Sequence, residues 1–189
     1  MPVGPKARTA LAAIRWETLR HPWGPATDVP GLLERLLDAE ESAGVDTALW
    51  SRGMHDGAPS GATAAISAVL LAMLDDGVDP DATDALLHFL RVSVETDRGP
   101  TFTLVGQGTP DPALDPRAPI HAHLDVVRRY AGTHPDAAWL VDWAADPRNA
   151  PRIVRWTDLT PGVEWAKKMA VYAIILIVGG LLAGFLNPF

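Results

Sequence analysis

Apolar residues recur every three or four positions along most of this chain, the period of a helix that buries one face. In DVPGLLERLLDAE the period puts Leu32, Leu33, Leu36 and Leu37 on one side, with Asp28 as N-cap and Pro30 in the first turn. GATAAISAVLLAMLDD carries the pattern more fully, through Ile66, Val69, Leu70, Met73 and Leu74. DPDATDALLHFLRVSV opens on Asp79-Pro80 and turns Leu86, Leu87 and Leu90 inward. APIHAHLDVVRRY offers Ile120, Leu124 and Val127, and HPDAAWLVDWAADP offers Trp139, Leu140 and Trp143. No stretch alternates for long with period two, and TFTLVG (101–106) is the single short strand candidate. The expected fold class is all-α, with short helices joined by Pro, Asp and Gly turns.

The pattern changes near the C-terminus. From Met169 to Leu186 no residue is charged, and 18 residues make roughly 27 Å of helix, close to the hydrocarbon thickness of a bilayer. The segment lacks the polar stripe of a half-buried helix. The alternative is a helix buried all round, for which a domain this small offers little interior. Thr160-Pro161 suits a helix start, Trp165 falls at headgroup height, and Lys167 and Lys168 mark the cytoplasmic side. This predicts a single C-terminal transmembrane helix, a tail anchor over 163–189 that contacts lipid through 169–186. The N-terminal domain would then lie on the cytoplasmic face of a bacterial cell membrane. Gly180 and Gly184 stand at GxxxG spacing, a helix-packing face that would allow a homo-oligomer through the span; simple lipid exposure is the alternative.

Charge sharpens this division. The net charge is −7, but Lys167 and Lys168 lie beside the apolar run, and positions 1–164 hold 14 basic against 23 acidic residues, a net −9. Such a surface repels phosphate backbones, so no nucleic-acid partner is expected, and the domain itself should not seek anionic lipid. There is no cysteine, hence no disulfide and no thiolate ligand or nucleophile. MPVGPKARTALAAIRWETLR reads as no signal peptide, because Arg15 and Glu17 interrupt the apolar positions. Arginine supplies 13 of the 16 basic residues, the coding bias of a GC-rich bacterial genome. Residues 97–119 lack a helical period and read as a long loop, either a plain connection or a partner-binding loop. The expected organisation is a helical domain over 1–145, a linker over 146–162, and the anchor. Arg148, Arg152 and Arg155 in the linker would add about 1 kcal/mol each of attraction to a nearby anionic surface.

Candidate chemistry is sparse. His121 and His123 stand two apart, and on a helix such side chains diverge by about 200°, so one ion could hold both only on a strand. His55-Asp56 are adjacent and make a poor dyad, and Ser60 and Ser67 lack a nucleophile-elbow setting. VGQG lacks the Lys-Ser/Thr of a phosphate loop. DDGVDPDATD lacks the spacing of a calcium loop and fits a solvated helix cap better. No catalytic, cofactor-binding or metal-ligating residue is assigned, and no enzyme is expected.

Residues 21–95 resemble a bacterial HEAT-repeat-like (armadillo-type) helical family. The likeness is carried by HPWGPATDVPGLLERLL, then ALWSRGMHDGAPSGATAAISAVLLAMLDD, then DATDALLHFL. In that family an aromatic-Gly turn leads through an Asp-x-Pro start into a Leu-rich helix. A His-x-Gly segment and an Ala-Thr-led apolar helix follow. The matching positions are Trp23-Gly24, Asp28 to Pro30, His55 to Gly57 and Ala62-Thr63, with Ser67 and Ser60 departing from the family's proline and aromatic. The resemblance implies stacked helix pairs and a binding or immunity-like module, without catalysis. Together these readings predict a tail-anchored interaction or adaptor protein that holds a protein partner at the membrane, or an accessory subunit of a membrane complex. The alternatives are an immunity-like protein and an oligomerising membrane effector.

Overall fold

The computed structural model describes residues 3–36, 42–55, 58–95 and 115–149. They are mostly helical, in agreement with the all-α reading. In chain order the helices are α1 (Pro5–Ala13), α2 (Val29–Arg35), α3 (Ser42–Gly53), α4 (Thr63–Asp76), α5 (Pro80–Glu95), α6 (Arg117–Ala122), α7 (Leu124–Tyr130) and α8 (Pro135–Ala145). Two antiparallel pairs of two-residue strands interrupt them: β1 (Arg20–His21) with β2 (Gly24–Pro25), and β3 (Met54–His55) with β4 (Ala58–Pro59).

The core is organised around α4. Ile66, Val69, Leu70, Met73 and Leu74 are buried as their period predicts, but so are Ala64, Ser67 and Leu71 on its other faces. A helix apolar on most sides needs neighbours on most sides, and α1, α2, α3, α5, α6 and α7 all touch it. A domain of this size therefore does enclose an apolar helix, which removes the size argument applied above to the C-terminal run. Of the other predicted core positions, Leu33, Leu86, Leu87, Leu90, Ile120, Val127 and Leu140 are buried. Leu32, Leu36, Leu124, Trp139 and Trp143 lie partly buried against the core.

The amphipathic patterns do not reveal α1 and α3. Helix α1 buries only Ala7 and Leu11, too few for a stripe; it packs along α4 and is fastened there by its end as well. Pro5 sits in its first turn, and no side chain of its own caps it. The cap comes from the end of α4, where Asp76 Oδ1 accepts the Lys6 backbone N–H at 3.1 Å and Oδ2 accepts that of Ala7 at 2.9 Å. Gly4 makes room for this approach, since a Cβ there would stand 2.4 Å from Asp76 Cγ. Gly77 ends α4 at φ +87°, a conformation that glycine adopts without strain.

Two predicted boundaries shift. The loop read over 97–119 ends earlier, because 117–119 form the first turn of α6. There Asp115 accepts the Arg117 backbone N–H at 2.9 Å and pairs with its guanidinium at 2.9 Å, both side chains being buried. The linker read from 146 begins packed on the body, as His121 Nε2 donates to the Asn149 carbonyl at 3.0 Å and Asn149 Nδ2 donates to that of Trp143 at 2.9 Å. The single helix expected over 118–130 breaks at His123, whose backbone (φ −120°, ψ 32°) is not helical. The proposed span, with Trp165, Lys167, Lys168, Gly180 and Gly184, lies outside the described residues. So do Arg152, Arg155 and the strand candidate 101–106. Among the described residues no helix is long and apolar enough to cross a membrane.

Candidate interaction surface

The two short hairpins share one register. His21 faces Gly24 and Arg20 faces Pro25; 34 residues on, His55 faces Ala58 and Met54 faces Pro59. In each, one further backbone bond closes the base: Ala26 N–H to the Leu19 carbonyl at 2.9 Å, and Ser60 N–H to that of Gly53 at 2.8 Å. Each hairpin leads into the helix that follows, so the chain repeats a hairpin-to-helix unit that local periodicity does not register. Gly24, at φ +138°, sits where a side chain would strain the first turn.

The hairpins meet side by side through Trp23, which lies in the first turn. Its ring centroid is 5.4 Å from that of His55, nearly edge-on at 83°. The Arg52 guanidinium lies over the same indole, 5.4 Å from its centroid. Behind it the backbone N–H of Trp23 donates to His21 Nδ1 at 3.1 Å, which fixes the tautomer: the proton is on Nε2, which donates to Asp28 Oδ1 at 3.0 Å. Asp28 Oδ2 accepts from Arg52 Nε at 2.9 Å. Burial alone would raise the Asp28 carboxyl, but the hydrogen bonds from His21 and Arg52 outweigh it and hold the group below its ordinary value. Asp28 does stand before α2, as its sequence position predicts, yet its side chain makes no cap bond there. It ties the corner together instead.

A second polar knot lies under the second hairpin. Ser60 Oγ donates to the Arg52 carbonyl at 2.5 Å and accepts the Ala62 N–H at 3.1 Å. Thr63 Oγ1 donates to the Gly53 carbonyl at 2.5 Å and accepts the Ser60 N–H at 2.8 Å. These bonds satisfy carbonyls at the end of α3 with groups at the start of α4. The corner therefore stands on buried, hydrogen-bonded backbone.

Trp23 is 58% exposed, the one large hydrophobic side chain exposed among the described residues. A rigid corner carrying an exposed indole under a guanidinium has the composition of a binding hot spot. It is poorly arranged for acid–base catalysis, because both ring nitrogens of His21 are already engaged.

Compared with protein-family models, curated proteins and solved structures, the chain matches none.

The other candidates are dispersed. His121 donates to the Asn149 carbonyl and packs against Trp143 (5.5 Å between centroids), while His123 sits at the α6–α7 break. Ser67 Oγ is buried without a hydrogen-bond partner. The acidic run DDGVDPDATD is not one solvated cap. Asp79 does cap its own helix, its Oδ1 accepting the Ala82 N–H at 2.8 Å. Asp75 instead pairs with Lys6 and Arg129, Asp76 caps α1, and Asp84 takes His134 Nδ1 at 2.6 Å. Arg148, assigned above to lipid attraction, is paired with Asp146 at 2.5 Å, which offsets its charge and draws the Asp146 carboxyl down to about 2.

A further constellation fastens α5 to α8. Asp136 accepts from Arg91 Nη1 at 2.8 Å and from His88 Nδ1 at 3.1 Å, and Arg91 lies over Trp139, 5.0 Å from its ring centroid. Together with Asp84 and His134, His88 and Asp136 line an open cavity of about 570 Å³. No local pattern marks Arg52, Arg91 and Asp136, whose partners on other elements lie 24 to 48 residues away. The turn tetrapeptides HPWG and HDGA were the available signal for the hairpins.

Proposed function

We propose that this protein is a tail-anchored interaction module, a small helical domain that docks a protein partner through the Trp23 corner and keeps it at a bacterial membrane. The docking half is supported by one observation: an exposed indole fixed between Arg52 and His55 on hydrogen-bonded backbone. Such a side chain loses little freedom on binding, so its burial is not offset by ordering. The HEAT-like part of this reading is supported by sequence alone, since α4 is enclosed by six helices where a stacked repeat would touch only its neighbours. The anchoring half is supported by sequence, through the uncharged run 169–186 beside Lys167 and Lys168. An immunity-like role is a special case of docking. The oligomerising-effector reading draws on Gly180 and Gly184, but a water-filled pore needs a polar face that the run lacks.

The test combines fractionation with capture. Full-length protein should stay in the membrane pellet through carbonate, and a chain ending at Gly162 should be released. Trp23→Ala should leave membrane retention unchanged while removing the partner recovered in mild detergent. Recovery of the full-length chain without detergent would refute the anchor, and partner retention by Trp23→Ala would refute the corner.

A further inference from the structure

We infer, resting on the docking reading above, that a proton governs the same corner: Trp23 is presented only while His21 is uncharged, and mild acid releases it. His21 is buried at the foot of the first hairpin, and its two ring nitrogens are committed in opposite senses. Nδ1 accepts the Trp23 backbone N–H at 3.1 Å, and Nε2 donates to Asp28 Oδ1 at 3.0 Å. The two turn residues are Pro22 and Trp23, and proline has no N–H, so the Trp23 amide is the turn's own donor. An amide only donates, so Nδ1 must keep its lone pair while this bond lasts. A proton there sets N–H against N–H. The closed turn and the imidazolium therefore exclude each other.

Opening the turn asks little of the rest of the fold. Trp23 is exposed, so water takes over its amide, and the imidazolium binds the Asp28 carboxylate more strongly than the neutral ring did. The second change offsets the first, and the turn changes state while the body of the domain stays folded. Three groups from other elements face this corner. Asp28, before α2, faces Nε2; Arg52, from α3, shares that carboxylate and lies over the indole. His55, from β3, stands edge-on to the same indole and belongs to the same titration range, while residues 56 and 57 of its own turn lie outside the described residues. His55 meets the Trp23 ring, whereas His21 holds the Trp23 backbone, so the two histidines act on different atoms. Because the closed form excludes one proton, its ratio to the open form falls by up to about tenfold for each pH unit in acid.

The experiment follows the Trp23 backbone amide by NMR in the full chain, labelled at tryptophan nitrogen, in a zwitterionic detergent. The resonance is assigned by its disappearance in Trp23→Phe. Between about pH 8 and about pH 5 it should move upfield along a one-proton curve. Its hydrogen-exchange protection, corrected for the intrinsic rate, should fall by about tenfold or more, with the thermal midpoint level. His21→Asn, whose side-chain oxygen accepts an N–H two residues on and takes no proton, should abolish the response. Asp28→Asn, which keeps the imidazole and removes the charge facing it, should move the curve to lower pH. His55→Gln should leave the curve in place. The amount of partner captured through Trp23 should drop by about tenfold or more between pH 7.5 and pH 5.5. An amide that does not respond, a response that survives His21→Asn or vanishes in His55→Gln, or capture that is level with pH overturns this inference and leaves docking at the corner standing. Capture that never depends on Trp23 removes the docking reading, and the regulation inferred for it falls too.

Discussion

Ser67 shows how a single residue can run against its surroundings. It occupies the middle of α4 among buried aliphatic side chains, and its hydroxyl has no partner. A buried hydroxyl left unsatisfied costs about 1–3 kcal/mol. Ser67→Ala should therefore raise stability by about 1 kcal/mol in urea unfolding, after allowance for the small volume lost. Thr63→Ala, four residues earlier, should do the opposite, since Thr63 Oγ1 joins Gly53 and Ser60. Equal effects from the two would contradict this account. From sequence alone both positions read as small polar residues inside an apolar run; only tertiary partners separate them.

Among the elements, legibility followed how each helix is held. Helices fixed by a broad apolar face, such as α4 and α5, announce themselves through Leu70, Leu74, Leu87 and Leu90. Helix α1 does not, because it packs on α4 through few and small apolar residues and a distant carboxylate caps its first turn. The hairpins are shorter than any alternation that could be detected, and their likeness appears only in the shared register of His21 and His55. Glycine substitutions offer a paired test. Gly4→Ala places a methyl group on Asp76, forces the cap apart and should cost about 1–3 kcal/mol, with faster hydrogen exchange at Lys6 and Ala7. Gly31→Ala meets nothing within 4 Å inside α2 and should instead stabilise by about 0.5–1 kcal/mol. If Gly4→Ala left exchange in α1 unchanged, the cap would not contribute to docking this helix.

Over the whole molecule, carboxylates act as cross-braces between elements. Asp75 is held below its ordinary value by hydrogen bonds from Lys6 and Arg129. In Asp136 burial acts upward, and the bonds from Arg91 and His88 outweigh it; Asp28 behaves alike. A carboxyl whose folded value lies below its unfolded value, roughly 3.9, adds stability above that pH and loses it as pH falls through the folded value. Thermal midpoints should accordingly stay level from neutrality to about pH 5 and drop below about pH 4. Asp136→Asn should lower the midpoint at pH 7 and flatten the drop. An acid limb unchanged in that variant would remove Asp136 from the set. The Asp75 brace was not readable in DDGVDPDATD, nor those of Asp28 and Asp136 in their own stretches, because charge partners from different helices are set by packing. The central place of α4 has a last consequence, for how such a protein can diversify. An array whose repeats only stack can lengthen by copying a unit, and gains surface as it does so. A helix already enclosed by six neighbours leaves no open end to copy onto. Change would then come by exchanging exposed side chains, such as that of Trp23, so related chains would keep their size and vary in surface chemistry.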